Sequence, residues 1–254
     1  MTRRPDEGPA PLLSVLVPVY NEERTVDELL RRVAAGPYPY PEKEILIVDD
    51  GSTDRTPERL RPWAGRPGVL LLRHPANRGK GAAVRTALAH ARGEFALIQD
   101  ADLEYDPADY PRLVEPLRRG ATDVVYGSRY LRPSRRLPWT RFRLAGWVLN
   151  LLVCGLYGRR LTDMLTGYKA CRTELLRALD LRAERFDLEA EITAKVCRLG
   201  LRLLEVPIAY QPRRRRDGKK IGWRDGWAVV RTLLRERFAG SGRLSGDAVE
   251  LGKR

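Results

Sequence analysis

Apolar and polar positions along this chain alternate between two periods. Leu12–Tyr20 and Ile45–Val48 are short, apolar and rich in β-branched residues, the pattern of parallel strands buried on both faces. Between them Val26, Leu29, Leu30 and Val33 recur at helical spacing, and Gly36-Pro37 stops that helix. Val69–Leu72, Phe95–Gln99 and Asp123–Tyr126 read as further strands, and Lys80–Arg92 and Pro107–Arg119 as helices. Strand and helix alternating at this spacing predict a mainly parallel α/β sheet flanked by helices, with right-handed crossovers. After Gly127 the pattern is less regular. Leu188–Leu199 reads as a helix and Leu201–Tyr210 as a strand. Ile221–Phe238 sets Trp223, Trp227, Val230 and Leu234 on one helical face, with Arg224, Arg231 and Arg235 off it. The Gly- and Ser-containing stretch 239–254 reads as a flexible tail, and residues 1–11 as a flexible start.

Composition adds a partner class. The 254 residues suffice for one large α/β domain, and the formal charge of +14 calls for an acidic partner: nucleic acid, anionic lipid or a phosphorylated substrate. Cys154, Cys171 and Cys197 are odd in number and lack metal-binding spacing, which fits a reducing cytoplasm rather than a disulfide framework. No signal peptide precedes Leu12. The longest nearly uncharged run, Leu144–Tyr157, falls short of the ~20 residues a spanning helix needs. It is a core helix or one lying in a membrane interface.

Candidate chemistry sits just after the strands. In an open parallel sheet, ligands bind beyond the carboxyl ends. Pro18-Val-Tyr-Asn-Glu22, Asp49-Asp-Gly-Ser-Thr-Asp54 and Asp100-Ala-Asp102 all fall there. Glu22, Asp49 and Asp50 are suited to accept from a nucleoside's base or ribose; Asp54 serves equally as a helix cap. Asp100 and Asp102, with Glu104 beyond, are hard oxygen donors suited to Mg²⁺ or Mn²⁺ bound jointly with substrate phosphates. Asn77-Arg-Gly-Lys80-Gly81 lacks the spacing of a P-loop; its glycines suit either close approach to a phosphate or a plain helix start. His74 and His90 show no catalytic pattern. A phosphate monoester nucleophile, already mostly ionised at neutral pH, needs cations rather than a base. Arg129, Arg135, Arg136, Arg141, Arg143, Arg213 to Arg216, Lys219 and Lys220 are available.

These motifs, with Tyr126-Gly-Ser-Arg129, Leu161-Thr-Asp-Met-Leu-Thr-Gly-Tyr-Lys169, Phe186-Asp-Leu-Glu-Ala-Glu191, Glu205-Val-Pro-Ile-Ala-Tyr210 and Gly218-Lys-Lys-Ile221, make the chain resemble the family 2 glycosyltransferases of GT-A fold. Within them it resembles the dolichol-phosphate mannosyltransferase-like group, which makes polyprenyl-phosphate sugars. The resemblance implies a Rossmann-like GT-A domain over 12–238, with a nucleotide-sugar and metal half (12–127) and an acceptor half (128–238). It implies that Pro18, Tyr20, Glu22, Asp49, Asp50, Lys80 and Asp100 bind the nucleotide-sugar. Asp102 would bind Mg²⁺ or Mn²⁺, with Asp100 and Glu104 as partners. Arg129, with Arg141 or Arg143, would hold the acceptor phosphate, and Arg213 and Lys219 would add to it from the basic loop. Asp163 and Glu189 would shape the sugar and acceptor end, completing a catalytic set with Asp102 and Arg129. The implied reaction is an inverting transfer from a nucleoside-diphosphate sugar, of GDP-mannose or UDP-glucose type, to a polyprenyl monophosphate.

The implied place is the cytoplasmic face of the membrane, peripherally bound, where Trp139, Trp147, Trp223 and Trp227 and the basic residues would meet anionic lipid; core packing is the alternative for the tryptophans. A related transferase acting on a hydroxyl acceptor would need Asp187 or Glu189 as base. A sugar-phosphate nucleotidyltransferase would show a glycine-rich basic loop where Pro18–Glu22 stands. A dehydrogenase would show G-x-G-x-x-G there. Nucleic-acid binding would not gather acids at strand ends.

Overall fold

Seven strands form one sheet because the apolar runs come in short, doubly buried segments. The computed structural model describes residues 11–131, 141–213 and 223–239, apart from the side chains of 141–142 and 223–224. In chain order the elements are β1 (Leu13–Val19), α1 (Val26–Ala35), β2 (Lys43–Asp49), α2 (Thr56–Leu60), β3 (Val69–Arg73), α3 (Lys80–His90), β4 (Phe95–Ile98), α4 (Tyr110–Arg118), β5 (Val124–Ser128), α5 (Arg141–Tyr157), β6 (Lys169–Arg172), α6 (Thr173–Ala178), α7 (Leu188–Arg198), β7 (Leu203–Pro207) and α8 (Trp223–Phe238). The strand order is β3-β2-β1-β4-β6-β5-β7. All neighbours are parallel except β6, which runs antiparallel between β4 and β5.

Both faces of the sheet are covered. Leu13, Val15, Val17 and Val19 of β1 pack with Val26, Leu29, Leu30 and Val33 of α1 and with Leu113, Val114 and Leu117 of α4. On the other face Leu16, Leu46 and Val48 meet Ala83, Val84 and Ala87 of α3 and Leu188, Ile192 and Val196 of α7. Each fully buried Val or Leu contributes about 2 kcal/mol to this core. α5 and α8 form a further layer on α7, through Leu149, Val153, Ala190, Ala194, Val229 and Leu233.

Three elements, α2, β6 and α6, are absent from the sequence pattern. β6 is four residues long and bears Lys169 and Arg172 at its ends, so it carries no strand-like apolar run. An antiparallel strand starts at the edge where the parallel strands finish, so the segment before β6 arrives at the carboxyl edge of the sheet. β7 is also shorter than expected, ending at Pro207. On α8 the apolar face read from the sequence is the one turned outward. Val229, Thr232, Leu233 and Glu236 face the protein, whereas Trp227 and Leu234 are 68% and 39% exposed. Arg231 is exposed along with them. Trp139, Arg135, Arg136, Arg214 to Arg216, Lys219 and Lys220, and the side chains of Arg141 and Trp223, lie outside the described residues.

Candidate active site

Every loop at the carboxyl edge is tied to another by a charged contact. Asp49 ends β2, with Oδ1 accepting from the Ser52 N–H at 3.0 Å. Its Oδ2 is buried and accepts no hydrogen bond; the Arg73 guanidinium lies 3.2 Å away but is not aimed to donate. A buried acceptor left this way favours a ligand N–H or O–H. Asp50 has no such capacity. It accepts from the N–H groups of Arg78 and Gly79 at 2.9 and 2.7 Å, and from Asn77 Nδ2 at 3.0 Å, and it contacts His74 Nδ1 at 2.6 Å. Asp50 thus shapes the 77–80 loop through these contacts. His74, also bonded to Thr86, is part of the same support. Pro18 is buried within β1 opposite Val48 and offers no side-chain surface; Tyr20 is half-exposed just beyond the strand.

Lys80, the first residue of α3, lies 2.6 Å from both Asp100 Oδ1 and Glu189 Oε1. Burial acts to lower its pKa, but the two carboxylates prevail and hold the ammonium well above the ordinary lysine range. The close approach requires glycine at two places. Gly79 has φ +95°, and a Cβ there would collide with the Glu184 carbonyl. A Cβ on Gly167 would collide with the Asp100 carboxylate. Three expected site residues, Lys80, Asp100 and Glu189, therefore share one contact, although Glu189 is 109 residues from Lys80.

Asp102 stands beside this group. Burial, then the neighbouring Asp100 and Glu104 carboxylates, push its carboxyl up to about 7, against relief from the Glu104 N–H and Arg213. Crowded hard-oxygen donors of this kind fit a divalent cation, with Asp102 and Asp100 the residues to hold it. Glu104, the third expected member, is tied to the β7 end. Its two carboxylate oxygens accept from the Arg213 N–H at 2.8 Å and the Tyr210 hydroxyl at 3.0 Å. Among the described residues no three acidic or imidazole side chains converge on one point.

Arg213, beyond β7, ties that segment to the loops after β1 and β4. Its guanidinium forks onto Glu22 at 3.1 and 2.6 Å, donates to the Asp102 carbonyl at 2.7 Å and reaches Thr25 Oγ1 at 3.0 Å. The sequence pattern gives Glu22 a ligand role and Arg213 an acceptor-phosphate role; the structure pairs them with each other. Tyr210 is a site residue the pattern does not single out. It pairs with Tyr105 as an isolated β-bridge, and its ring lies 5.2 Å from the Arg129 guanidinium carbon. Tyr105 in turn stacks on Tyr168 with centroids 4.6 Å apart.

Arg129 follows β5 directly. Asp163 accepts from its backbone N–H at 3.0 Å, from Nε at 2.7 Å and from Nη2 at 2.6 Å. Burial alone would lower the Arg129 pKa; Asp163 keeps it well above the ordinary value. The next residue, Tyr130, has two guanidiniums over its ring, Arg129 at 5.7 Å and Arg143 at 5.5 Å. Arg143 is in the first turn of α5. Arg129, ion-paired with Asp163, and Arg143 thus flank one aromatic ring beyond β5, while Asp100, ion-paired with Lys80, and Asp102 lie beyond β4, two strands away.

Residues 14–179 match the family model described as Glycosyl transferase family 2. Among known proteins, the chain is 33% identical over 223 residues to an undecaprenyl-phosphate mannosyltransferase of Micrococcus luteus, covering 85% of this chain and 90% of that one. It is 35% identical over 179 residues to a dodecaprenyl-phosphate galacturonate synthase of Rhizobium johnstonii, covering 68% of this chain but only 51% of that protein's length. In three dimensions it superposes with a TM-score of 0.69 on glucosyl-3-phosphoglycerate synthase from Mycobacterium tuberculosis, solved with Mn²⁺, UDP and phosphoglyceric acid; identity is 23%, over 91% of this chain and 81% of that one. That likeness shows the fold, which is the GT-A arrangement of a mainly parallel sheet between helices.

Proposed function

The chain belongs to glycosyl transferase family 2, and from that premise we propose that it moves a glycosyl group from a nucleoside-diphosphate sugar to a polyprenyl monophosphate, with inversion at the anomeric carbon. The observation that carries this reading is the Arg129–Tyr130–Arg143 cluster, two cations held on one ring at the same sheet edge as Asp100 and Asp102. Such a pair suits a phosphate monoester better than a neutral hydroxyl. The names of the relatives, a mannosyltransferase and a galacturonate synthase acting on polyprenyl phosphates, support the same acceptor class.

The donor's nucleoside is assigned to the Asp49 end, where a buried carboxylate oxygen is available for a base or ribose donor. Asp102 and Asp100 would hold a divalent cation, Mg²⁺ or Mn²⁺, which would offset the charge of the diphosphate leaving group. Arg129 and Arg143 hold the acceptor phosphate and orient one of its oxygens at the anomeric carbon. That oxygen forms the new bond as the bond to the diphosphate breaks, and the electron pair leaves with the diphosphate. No side chain removes a proton, because the monoester is already ionised near pH 7. Lys80 and Glu189 present charge to the sugar between the two ends.

The working place is the membrane surface. No helix among the described residues is long and apolar enough to cross a membrane. Yet Leu144, Trp147, Val148 and Leu151 form a stripe on α5 that is 50–54% exposed, and Trp227, Leu234 and Phe238 form another on α8. The α5 stripe begins one residue after Arg143, so a surface-docked protein meets a lipid's phosphate where its cations lie.

A hydroxyl acceptor is less well served. Glu189 is paired with Lys80, and Asp187 accepts from Thr232 Oγ1 at 3.1 Å. The test compares undecaprenyl phosphate with undecaprenol under identical detergent conditions. Turnover of a nucleoside-diphosphate sugar with the phosphate alone is expected; equal turnover with the alcohol overturns the reading.

A further inference from the structure

Glu205 opens the Glu205-Val-Pro segment on the edge strand β7, and the reaction outlined above gives it no task. Its carboxylate is half-buried, and among the described residues no cation lies within ion-pair distance of it. What it does contact is a single turn. Oε2 accepts from the Thr162 N–H at 2.7 Å, and Oε1 accepts from the Asp163 N–H and the Thr162 hydroxyl, both at 2.9 Å. Two consecutive backbone donors aimed at one carboxylate make a specific anchor. A half-buried charge spent wholly on neutral donors is a costly way to hold an ordinary loop.

That turn holds Arg129. Asp163 is the residue whose carboxylate takes three hydrogen bonds from Arg129, and its own N–H is the one Glu205 accepts. Thr162 closes the circuit on the other side. Its hydroxyl lies 2.7 Å from Ser128 Oγ, which accepts from the Tyr130 N–H at 3.2 Å. Glu205 therefore fixes both residues that flank the Ser128–Tyr130 backbone, from a strand away.

We propose that Glu205 is a positioning residue for the acceptor: by anchoring the Thr162–Asp163 turn it holds the Arg129 guanidinium in place for a phosphate monoester. The inference rests on the lipid-phosphate reading of Arg129. In Glu205→Gln an amide nitrogen must replace one carboxylate oxygen and then faces N–H donors, so the turn loses an anchor while the side-chain volume stays the same.

The test is calorimetric binding of farnesyl phosphate, a short soluble monoester, to the full chain, beside binding of UDP or GDP with Mn²⁺. Glu205→Gln is expected to weaken farnesyl phosphate about tenfold and to leave the nucleotide unchanged. In an Asp163→Asn background it should cost clearly less than in the wild type, because the path through Asp163 is already cut and only the Thr162 route remains. A purely structural role would lower the unfolding midpoint and weaken both ligands together. Equal farnesyl phosphate binding by wild type and Glu205→Gln, or full additivity with Asp163→Asn, overturns the proposal. Failure of the wild type itself to bind farnesyl phosphate removes the acceptor reading, and this inference with it. If Glu205→Gln does not fold, Thr162→Val breaks the hydroxyl link at constant shape and is expected to show the same selective loss.

Discussion

Lys80 shows how much one side chain carries at this edge. Its ammonium lies between Asp100 and Glu189 with little solvent access, so removing it leaves two carboxylates uncompensated. Lys80→Met is expected to lose about 3 kcal/mol of stability in urea unfolding and about a hundredfold or more in transfer rate. A variant with near-normal rate would show that the triad is not part of the site. Lys169 makes a different prediction. It is buried, donates to the Met164 and Thr166 carbonyls at 2.8 Å and lies 4.0 Å from the Tyr126 ring centre. Burial pulls its pKa down to about 7; Glu189 and Asp163 oppose this, and Lys80 and Arg129 add to it. An unfolded lysine keeps its proton to about 10.4, so between those values the unfolded chain binds more protons than the native one. Stability relative to Lys169→Met should therefore rise with pH from about 7 upward and stay level below it. Urea midpoints of the two proteins at pH 6, 7.5 and 9 check this, and a constant gap across the three contradicts it.

At the scale of elements, α5 and α8 present the main exposed apolar surfaces among the described residues. Their exposed apolar stripes carry Trp147 at 54% exposure, Trp227 at 68% and Phe238 at 77%, and exposed Arg231, Arg235 and Arg237 adjoin them on α8. Replacing Trp147, Leu151, Trp227 and Phe238 together by serine should change stability little, because the four side chains are largely solvated. Sedimentation with phosphatidylglycerol vesicles should fall about tenfold or more, and added salt should weaken wild-type binding. Unchanged sedimentation would contradict membrane docking through these helices.

Elements also explain what could be read in advance. β1, β2 and β4 and the position of the acids after them were legible because a doubly buried strand is apolar throughout and the polar residues come at its end. β6 was not, since it is short and its placement depends on pairing with β4 and β5 rather than on its own pattern. With β6 unread, the route by which Asp163 reaches Arg129 was unread as well. The sequence left the α8 tryptophans open between surface and core because apolar residues occur on both faces of the helix, and only the contact with α5 and α7 selects Val229 and Leu233 as the inner ones. The long-range partners of Asp50 (Asn77 to Gly79) and Glu104 (Tyr210 and Arg213) were not legible in the local sequence. Glu22 and Arg213, 191 residues apart, could not be matched by spacing at all.

For the whole molecule, the formal charge of +14 accords with the proposal that the protein works on phosphorylated substrates at an anionic surface. The sugar is a property of the donor pocket, and relatives of similar identity are named for different sugars, mannose and galacturonate. The most direct measurement is therefore a transfer assay over a panel of UDP- and GDP-sugars with Mg²⁺ or Mn²⁺, with and without undecaprenyl phosphate, following diphosphate release and the lipid product together. The account predicts release from one donor that depends on the lipid phosphate, one lipid-linked sugar formed per diphosphate released, and loss of both with EDTA or Asp102→Asn. Donor turnover that proceeds equally without the lipid phosphate, and leaves no sugar on it, would contradict the account.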